Sequence, residues 1–218
     1  MLYYERKLKK RGYNLIIGVD EVGRGPLAGP VVSAAVVLKG SRFKNRIDDS
    51  KKLTPVARER AFPELVKKTF FGVGIINEKI IDAVNIEAAT RLAMEAAVRQ
   101  LIDKLKSARP RRMHPALSDP KRNCKLRKGR VHILIDGNIK LNAGLPCTNI
   151  IKGDSKSKSI ASASIVAKVI RDRIMSLYDK VYPQYGFCEH KGYPTKKHRA
   201  ALRKFGPSLI HRMSFNCV

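Results

Sequence analysis

The chain has 218 residues, 44% of them hydrophobic, enough to bury one substantial core, and this predicts a single domain over residues 1–218. Its 45 Lys and Arg against 18 Asp and Glu give a formal charge of +27, a load that repels itself in a compact fold unless a polyanion offsets it, so nucleic acid is the expected partner. Nowhere do roughly eighteen apolar residues run together, Met1 to Lys10 holds no apolar signal-like run, and Cys124, Cys147, Cys188 and Cys217 lie too far apart for a paired zinc motif; these features argue against export, a membrane span and a zinc centre, and for a cytoplasmic protein with reduced thiols.

In chain order, Asn14 to Val19 (NLIIGV), Val31 to Leu38 (VVSAAVVL) and Thr69 to Ile76 are apolar, β-branched runs of the kind that form buried strands. From Asn85 to Lys104 the residues Ile86, Ala89, Leu92, Ala93, Ala96, Ala97 and Leu101 recur at helical spacing behind a candidate Asn85 cap. Lys104 to Arg130 carries eleven Lys and Arg, one acid and three prolines, so about +10 of the formal charge sits there; this composition predicts a mobile basic insertion that adds affinity for a phosphate backbone, or a surface insertion without a role. Val131 to Ile135 reads as a short buried strand ending at Asp136-Gly137, Asn149 to Lys152 as a shorter one ending near Asp154, and Ser159 to Tyr178 as a helix. This succession predicts an α/β fold, a mixed sheet with helices on both faces.

Asp20 and Glu21 follow the first strand directly, and Asp136 closes the fourth. Carboxylates at strand ends project from rigid elements into the crevice beyond a sheet, and adjacent strands would place Asp20 and Asp136 on one rim. Neighbouring strand residues face opposite ways, so Glu21 joins Asp20 only if the chain bends, which Gly23 and Gly25 permit. Asp154 could add a fourth acid. Clustered carboxylates raise one another's pKa until cations neutralise them, and ligands that are all oxygen favour Mg²⁺ or Mn²⁺, two of which can clamp a phosphodiester. Plainer readings exist for each: a solvated turn for Asp20-Glu21, a hairpin turn for Asp136-Gly137, a helix cap for Asp154.

Residues Gly18 to Leu38, GVDEVGRGPLAGPVVSAAVVL, closely resemble the opening motif of bacterial type 2 ribonucleases H, the ribonuclease HII family, with Val22 in place of the usual Ala. The likeness continues through Asp49-Ser50-Lys51-Lys52-Leu53, Asn85 to Met94, Ile135-Asp136-Gly137, Lys152-Gly153-Asp154, Ser162 to Arg173, His190-Lys191-Gly192-Tyr193 and His211 to Phe215, and so covers nearly the whole chain except Lys104 to Arg130. It implies a ribonuclease H-like fold, with a mixed five-stranded sheet, flanking helices and a C-terminal helical segment.

The resemblance also implies a metal-dependent endoribonuclease that cuts the RNA strand of RNA/DNA hybrids and incises DNA at embedded ribonucleotides, leaving 3′-hydroxyl and 5′-phosphate ends. Its catalytic acids and metal ligands fall on Asp20, Glu21, Asp136 and Asp154, for Mg²⁺ or Mn²⁺. Gly23, Arg24 and Gly25 would read the ribonucleotide beside its 2′-OH, Tyr193 would stack near the sugar at the RNA-to-DNA junction, and Ser50 and Lys51 would hold a backbone phosphate, unless these two form only a charged loop. Lys168 and Arg171 are candidate phosphate contacts or solvated helix charges; His190 and His211 read as structural. The expected assembly is a monomer. A ribonuclease HIII-like enzyme is the alternative, although only nineteen residues precede Asp20, and so is a non-catalytic basic RNA-binding protein.

Overall fold

A computed structural model of the chain describes residues 1–107 and 131–215, so most of the basic insertion, together with Cys124 and Cys217, lies outside the described residues. Five strands form one sheet: β1 (Leu15–Val22), β2 (Val31–Leu38), β3 (Thr69–Ile76), β4 (Val131–Asp136) and β5 (Cys147–Ile150), in the order β3-β2-β1-β4-β5. β1, β2 and β3 pair antiparallel as a meander, whereas β4 joins β1, and β5 joins β4, in parallel. The sheet is therefore mixed, as expected. Because β4 and β5 run parallel, Asp136-Gly137 is not a hairpin turn; it opens the crossover that carries the chain to β5.

Alternation along β1 divides the core. Leu15, Ile17 and Val19 face one side and pack with Met94, Ala97 and Leu101 of helix α4 (Ile86–Ser107). On the other side Val32, Ala34 and Val36 of β2 meet α2 (Pro55–Lys68) and α5 (Lys158–Val181), while Ile16 and Leu134 meet Ile160 of α5 and Leu8 of α1 (Tyr3–Lys10). Ser159, Ala161, Ser162, Ala163, Ser164 and Ala167 are buried small residues that let α5 lie close to the sheet. At Gly18 a Cβ would stand 2.2 Å from the backbone carbon of Ser159, so α5 lies tight against β1 there. A short α3 (Glu78–Val84), a one-turn α6 (Phe187–His190) and α7 (Lys196–Phe205) complete the helices among the described residues, the last two forming the expected C-terminal helical part.

Cap chemistry bears out the expected start of one helix, and pairing sets where the strands depart from expectation. α4 begins at the Asn85 cap, whose Oδ1 accepts from Ala88 N–H at 3.0 Å. β1 does not stop before the acids, since Asp20, Glu21 and Val22 stay in register with Ala34, Ser33 and Val32. β5 lies two residues earlier than expected, set by its pairing of Cys147 to Ile150 with Ile133 to Asp136. Among the described residues no helix is long and apolar enough to cross a membrane.

Candidate active site

β1 and β4 are parallel neighbours in which Gly18 pairs with Leu134 and Val19 with Ile135, so Asp20 and Asp136 emerge side by side on the α5 face. Asp154 comes from a 3-10 turn, Gly153–Ser155, just ahead of α5. That turn is tied to β4: the Gly153 N–H donates to Asp136 Oδ1 at 2.6 Å, and Lys152 before it adopts a left-handed φ of 55°. Such a conformation in a non-glycine residue is strained by about 1 kcal/mol or more. The cap of α5 is Ser157, whose hydroxyl accepts from Ile160 N–H, so Asp154 is released from the capping role and turns to the two strand-end acids.

One carboxylate oxygen from each of Asp20, Asp136 and Asp154 lies within 4.8 Å of the other two. Asp20 and Asp154 are buried, at 4% and 5% exposure, which makes three mutually repelling carboxylates hard to keep ionised. Burial first, and then the charges of Glu21 and Asp136, push the Asp20 carboxyl well above its usual range. Burial and the Asp136 charge raise Asp154 to about 6. In the cation-free protein the Asp154 proton therefore stabilises the fold below its ordinary carboxylate pKa, and that contribution is lost as pH rises through about 6. Thermal melts in chelator should show Asp154→Asn gaining on the unsubstituted protein between about pH 4 and about pH 7.5, each kcal/mol being worth about 2–4 °C. A constant difference across that range would refute it.

Glu21 stands beside the trio rather than within it. One oxygen lies 3.6 Å from Arg24 Nη1, while the other, Oε2, is buried without a hydrogen-bond partner among the described residues. Burial, and after it the Asp136 charge, raise its pKa against the pull of Arg24. An orphaned buried carboxylate oxygen next to three crowded acids, with oxygen the sole donor type, fits a hard divalent cation. Lys51 offsets part of the charge: burial alone would lower its pKa, but Asp20, Asp154, Asp49 and Asp136 together raise it. Ser50 is buried, and its Oγ is paired with Ser164 Oγ of α5 at 2.8 Å.

The Gly23-Arg24-Gly25 loop borders these acids. Gly23 has φ 95°, and a Cβ there would meet Arg171 Nε at 2.3 Å, so only glycine fits. Gly25 faces Tyr193, whose Cε1 lies 3.8 Å from where a Gly25 Cβ would be, and Tyr193 is 39% exposed. Arg171 differs from both readings of the sequence. It is wholly buried on α5 and donates to the carbonyls of Pro30, Lys191 and Ala28, at 2.9, 3.0 and 3.1 Å. Lys168 is largely buried as well and pairs with Asp172 at 2.8 Å.

His190 and His211 make hydrogen bonds within the fold, in keeping with the structural reading: His190 Nε2 pairs with the Tyr185 carbonyl at 2.8 Å and its Nδ1 accepts from Gly192 N–H at 3.2 Å. His211 Nδ1 accepts from Ser208 N–H at 2.9 Å, which leaves its Nε2–H to donate to His198 Nε2 at 3.0 Å; His198 Nδ1–H then donates to the Tyr193 carbonyl at 2.9 Å. This tautomer chain requires both rings to be neutral. Burial lowers both pKa values, His211 to about 4. For His198 the readable signal is only the start of its helix, marked by the Thr195 cap of α7.

Comparison with known proteins gives the family and the fold. The family model described as Ribonuclease HII matches residues 17–218. The Ribonuclease HII of Ruminiclostridium cellulolyticum is 47% identical over 216 residues, covering 99% of this chain and 75% of that protein. The ribonuclease H2 of Pyrococcus horikoshii OT3 shares the fold at a TM-score of 0.64 and 24% identity, over 93% of this chain and 94% of that one. Bst-RNase HIII in complex with Mn²⁺ superposes at a TM-score of 0.62 and 17% identity, over 96% of this chain and 70% of that one. With a family match across nearly its whole length and a 47% identical relative, this chain belongs to the ribonuclease HII family and is an endoribonuclease.

Proposed function

We propose that the protein is a divalent-metal-dependent enzyme that cuts the RNA strand of RNA/DNA hybrids and nicks duplex DNA at embedded ribonucleotides, leaving 3′-hydroxyl and 5′-phosphate ends. The observation that carries this reading is the trio of carboxylate oxygens within 4.8 Å, placed beside the Gly23-Arg24-Gly25 loop and Tyr193. Asp20, Asp136 and Asp154 would hold the cations, with Glu21 completing the set through its orphaned Oε2. Bound Mg²⁺ or Mn²⁺, in a pair, would supply an activated water and charge neutralisation at the scissile phosphate.

The chain's own residues supply the rest. Gly153 N–H holds one Asp136 oxygen and so fixes that carboxylate's rotation. Lys51, drawn toward the acids, can release to a backbone phosphate when cations take over the neutralisation. The loop at Gly23, Arg24 and Gly25 reads the ribose 2′-hydroxyl by close backbone approach, and the Tyr193 ring stacks on the sugar one step further along. Ser50 accepts from Ser164 Oγ, which leaves its own hydroxyl hydrogen to donate to the phosphate. The +27 charge supplies non-specific attraction to the duplex, and the enzyme works as a cytoplasmic monomer.

A labelled DNA duplex with one ribonucleotide, incubated with and without Mg²⁺ and mapped to single-nucleotide resolution, should be cut once, beside the ribonucleotide and only with metal. Metal-independent cutting, or uniform cutting of all-DNA duplex, would contradict the reading.

A further inference from the structure

Gly23-Arg24-Gly25 combines two glycines, the most flexible residues of the chain, at a place where a hydroxyl must be told from a hydrogen atom. A site of that kind needs its donors fixed to within about 0.5 Å. Fixation comes from Arg212, a wholly buried residue far away in sequence. Its Nη2 donates to the Gly23 carbonyl at 2.6 Å and to the Gly29 carbonyl at 2.7 Å, its Nη1 to the Arg24 carbonyl at 3.1 Å, and its Nε to the Gly29 carbonyl at 2.9 Å. Arg171 locks the neighbouring carbonyls of Ala28 and Pro30, and Arg212 N–H donates to Leu27 O.

Every described peptide bond is trans, so the C=O and N–H of one peptide unit point in opposite directions. The Gly23 carbonyl shares its unit with Arg24 N–H, and the Arg24 carbonyl shares its unit with Gly25 N–H. By drawing both carbonyls inward, the Arg212 guanidinium turns these two N–H groups the other way, away from the protein interior. Pro26, which follows, has no N–H to compete. Burying a guanidinium that is bonded to carbonyls is costly, and burial draws the pKa of Arg212 down to about 9, so it stays charged at neutral pH.

We propose that Arg212 is the positioning residue for ribonucleotide discrimination: it aims the N–H groups of Arg24 and Gly25 outward as a fixed pair of donors to the 2′-hydroxyl oxygen. The inference rests on the functional reading above. It assigns Arg212 no contact with substrate. A lysine at 212 would keep the charge but lose the planar fork that spans several carbonyls.

The test uses the intact enzyme and one duplex sequence in two forms, with a single ribonucleotide and all DNA. Arg212→Lys should lower kcat/KM on the ribonucleotide duplex at least roughly tenfold while the Ki of the all-DNA duplex as competitive inhibitor stays within about twofold. A parallel loss in both, or no change in either, overturns the proposal. If the unsubstituted enzyme neither cuts nor prefers the ribonucleotide duplex, it is the functional reading that has failed. Should circular dichroism show Arg212→Lys unfolded, amide exchange at Arg24 and Gly25 decides, followed in Asp136→Asn. Slowing by the ribonucleotide duplex alone supports the donor pair; equal slowing by both duplexes overturns it.

Discussion

Asp136→Asn is expected to abolish cleavage while leaving duplex affinity close to that of the unsubstituted enzyme, and Asp20→Asn to do the same. Each replaces a charged oxygen of the three-carboxylate cluster by a neutral amide of the same shape. Binding depends chiefly on a basic surface that neither change touches. The loss should reach at least about 10³-fold in kcat, because cation-borne stabilisation of several kcal/mol is removed and each ~1.4 kcal/mol is a factor of ten. Asp136→Asn carries a further consequence: its Oδ1 accepts from Gly153 N–H at 2.6 Å, and an amide can keep that bond through its own oxygen. The fold should therefore survive, with a melting temperature at or above the original in chelator, since one of three repelling charges is gone. Steady-state kinetics beside an electrophoretic binding assay would check both halves. Turnover within about tenfold of normal would remove Asp136 from the catalytic set.

The second large effect is structural. Gly18→Ala should destabilise the protein by about 3 kcal/mol, the upper end of ordinary over-packing, or about 6–12 °C in melting temperature. A methyl there would lie 2.2 Å from the Ser159 backbone carbon and 2.4 Å from Ile160 N, where no flexible side chain can move aside. Either α5 shifts away from β1 or the strand bows. Both movements disturb the turn bearing Asp154, which sits directly before α5, relative to Asp20, two residues beyond Gly18 on the same face. A displacement near 1 Å at a reacting centre can cost about 10²-fold in rate, so activity measured well below the new melting temperature should fall as well. An alanine variant with unchanged stability would mean that the helix and strand are not in the contact described.

Much of this site is legible in the sequence because it is built from regular elements. Asp20 and Asp136 could be placed on one rim once two buried strands ended in acids, and the parallel register of β1 and β4 bears that out. Glu21 shows the limit of the argument: strand alternation sets it apart from Asp20, and it stays outside the tight trio, held toward Arg24. In the sequence Asp154 is ambiguous because it and Ser157, three residues later, are both good caps, and only the fold decides between them.

Helices α1 and α2 have a weak sequence signal because they lack a broad apolar stripe. α1 buries only Glu5 and Leu8, and α2 carries Pro63 in its interior, although Thr54-Pro55 is a sound start signal for it. Arg171 had a readable clue: Ala163, Ala167, Arg171 and Met175 recur every four residues and all are buried, so the arginine shares a core-facing stripe. Arg212 had none. Its burial depends on carbonyls nearly two hundred residues away, which no local pattern encodes.

The most direct measurement is anomalous diffraction from crystals of the protein grown with Mn²⁺ and an RNA/DNA hybrid, using Asp154→Asn if the unsubstituted enzyme cuts too fast. Strong Mn²⁺ peaks should lie between the carboxylates of Asp20 and Asp136 and against the phosphate beside the ribonucleotide held at Gly25 and Tyr193. Mn²⁺ bound elsewhere while hybrid occupies the cleft, with these acids left bare, would contradict the account.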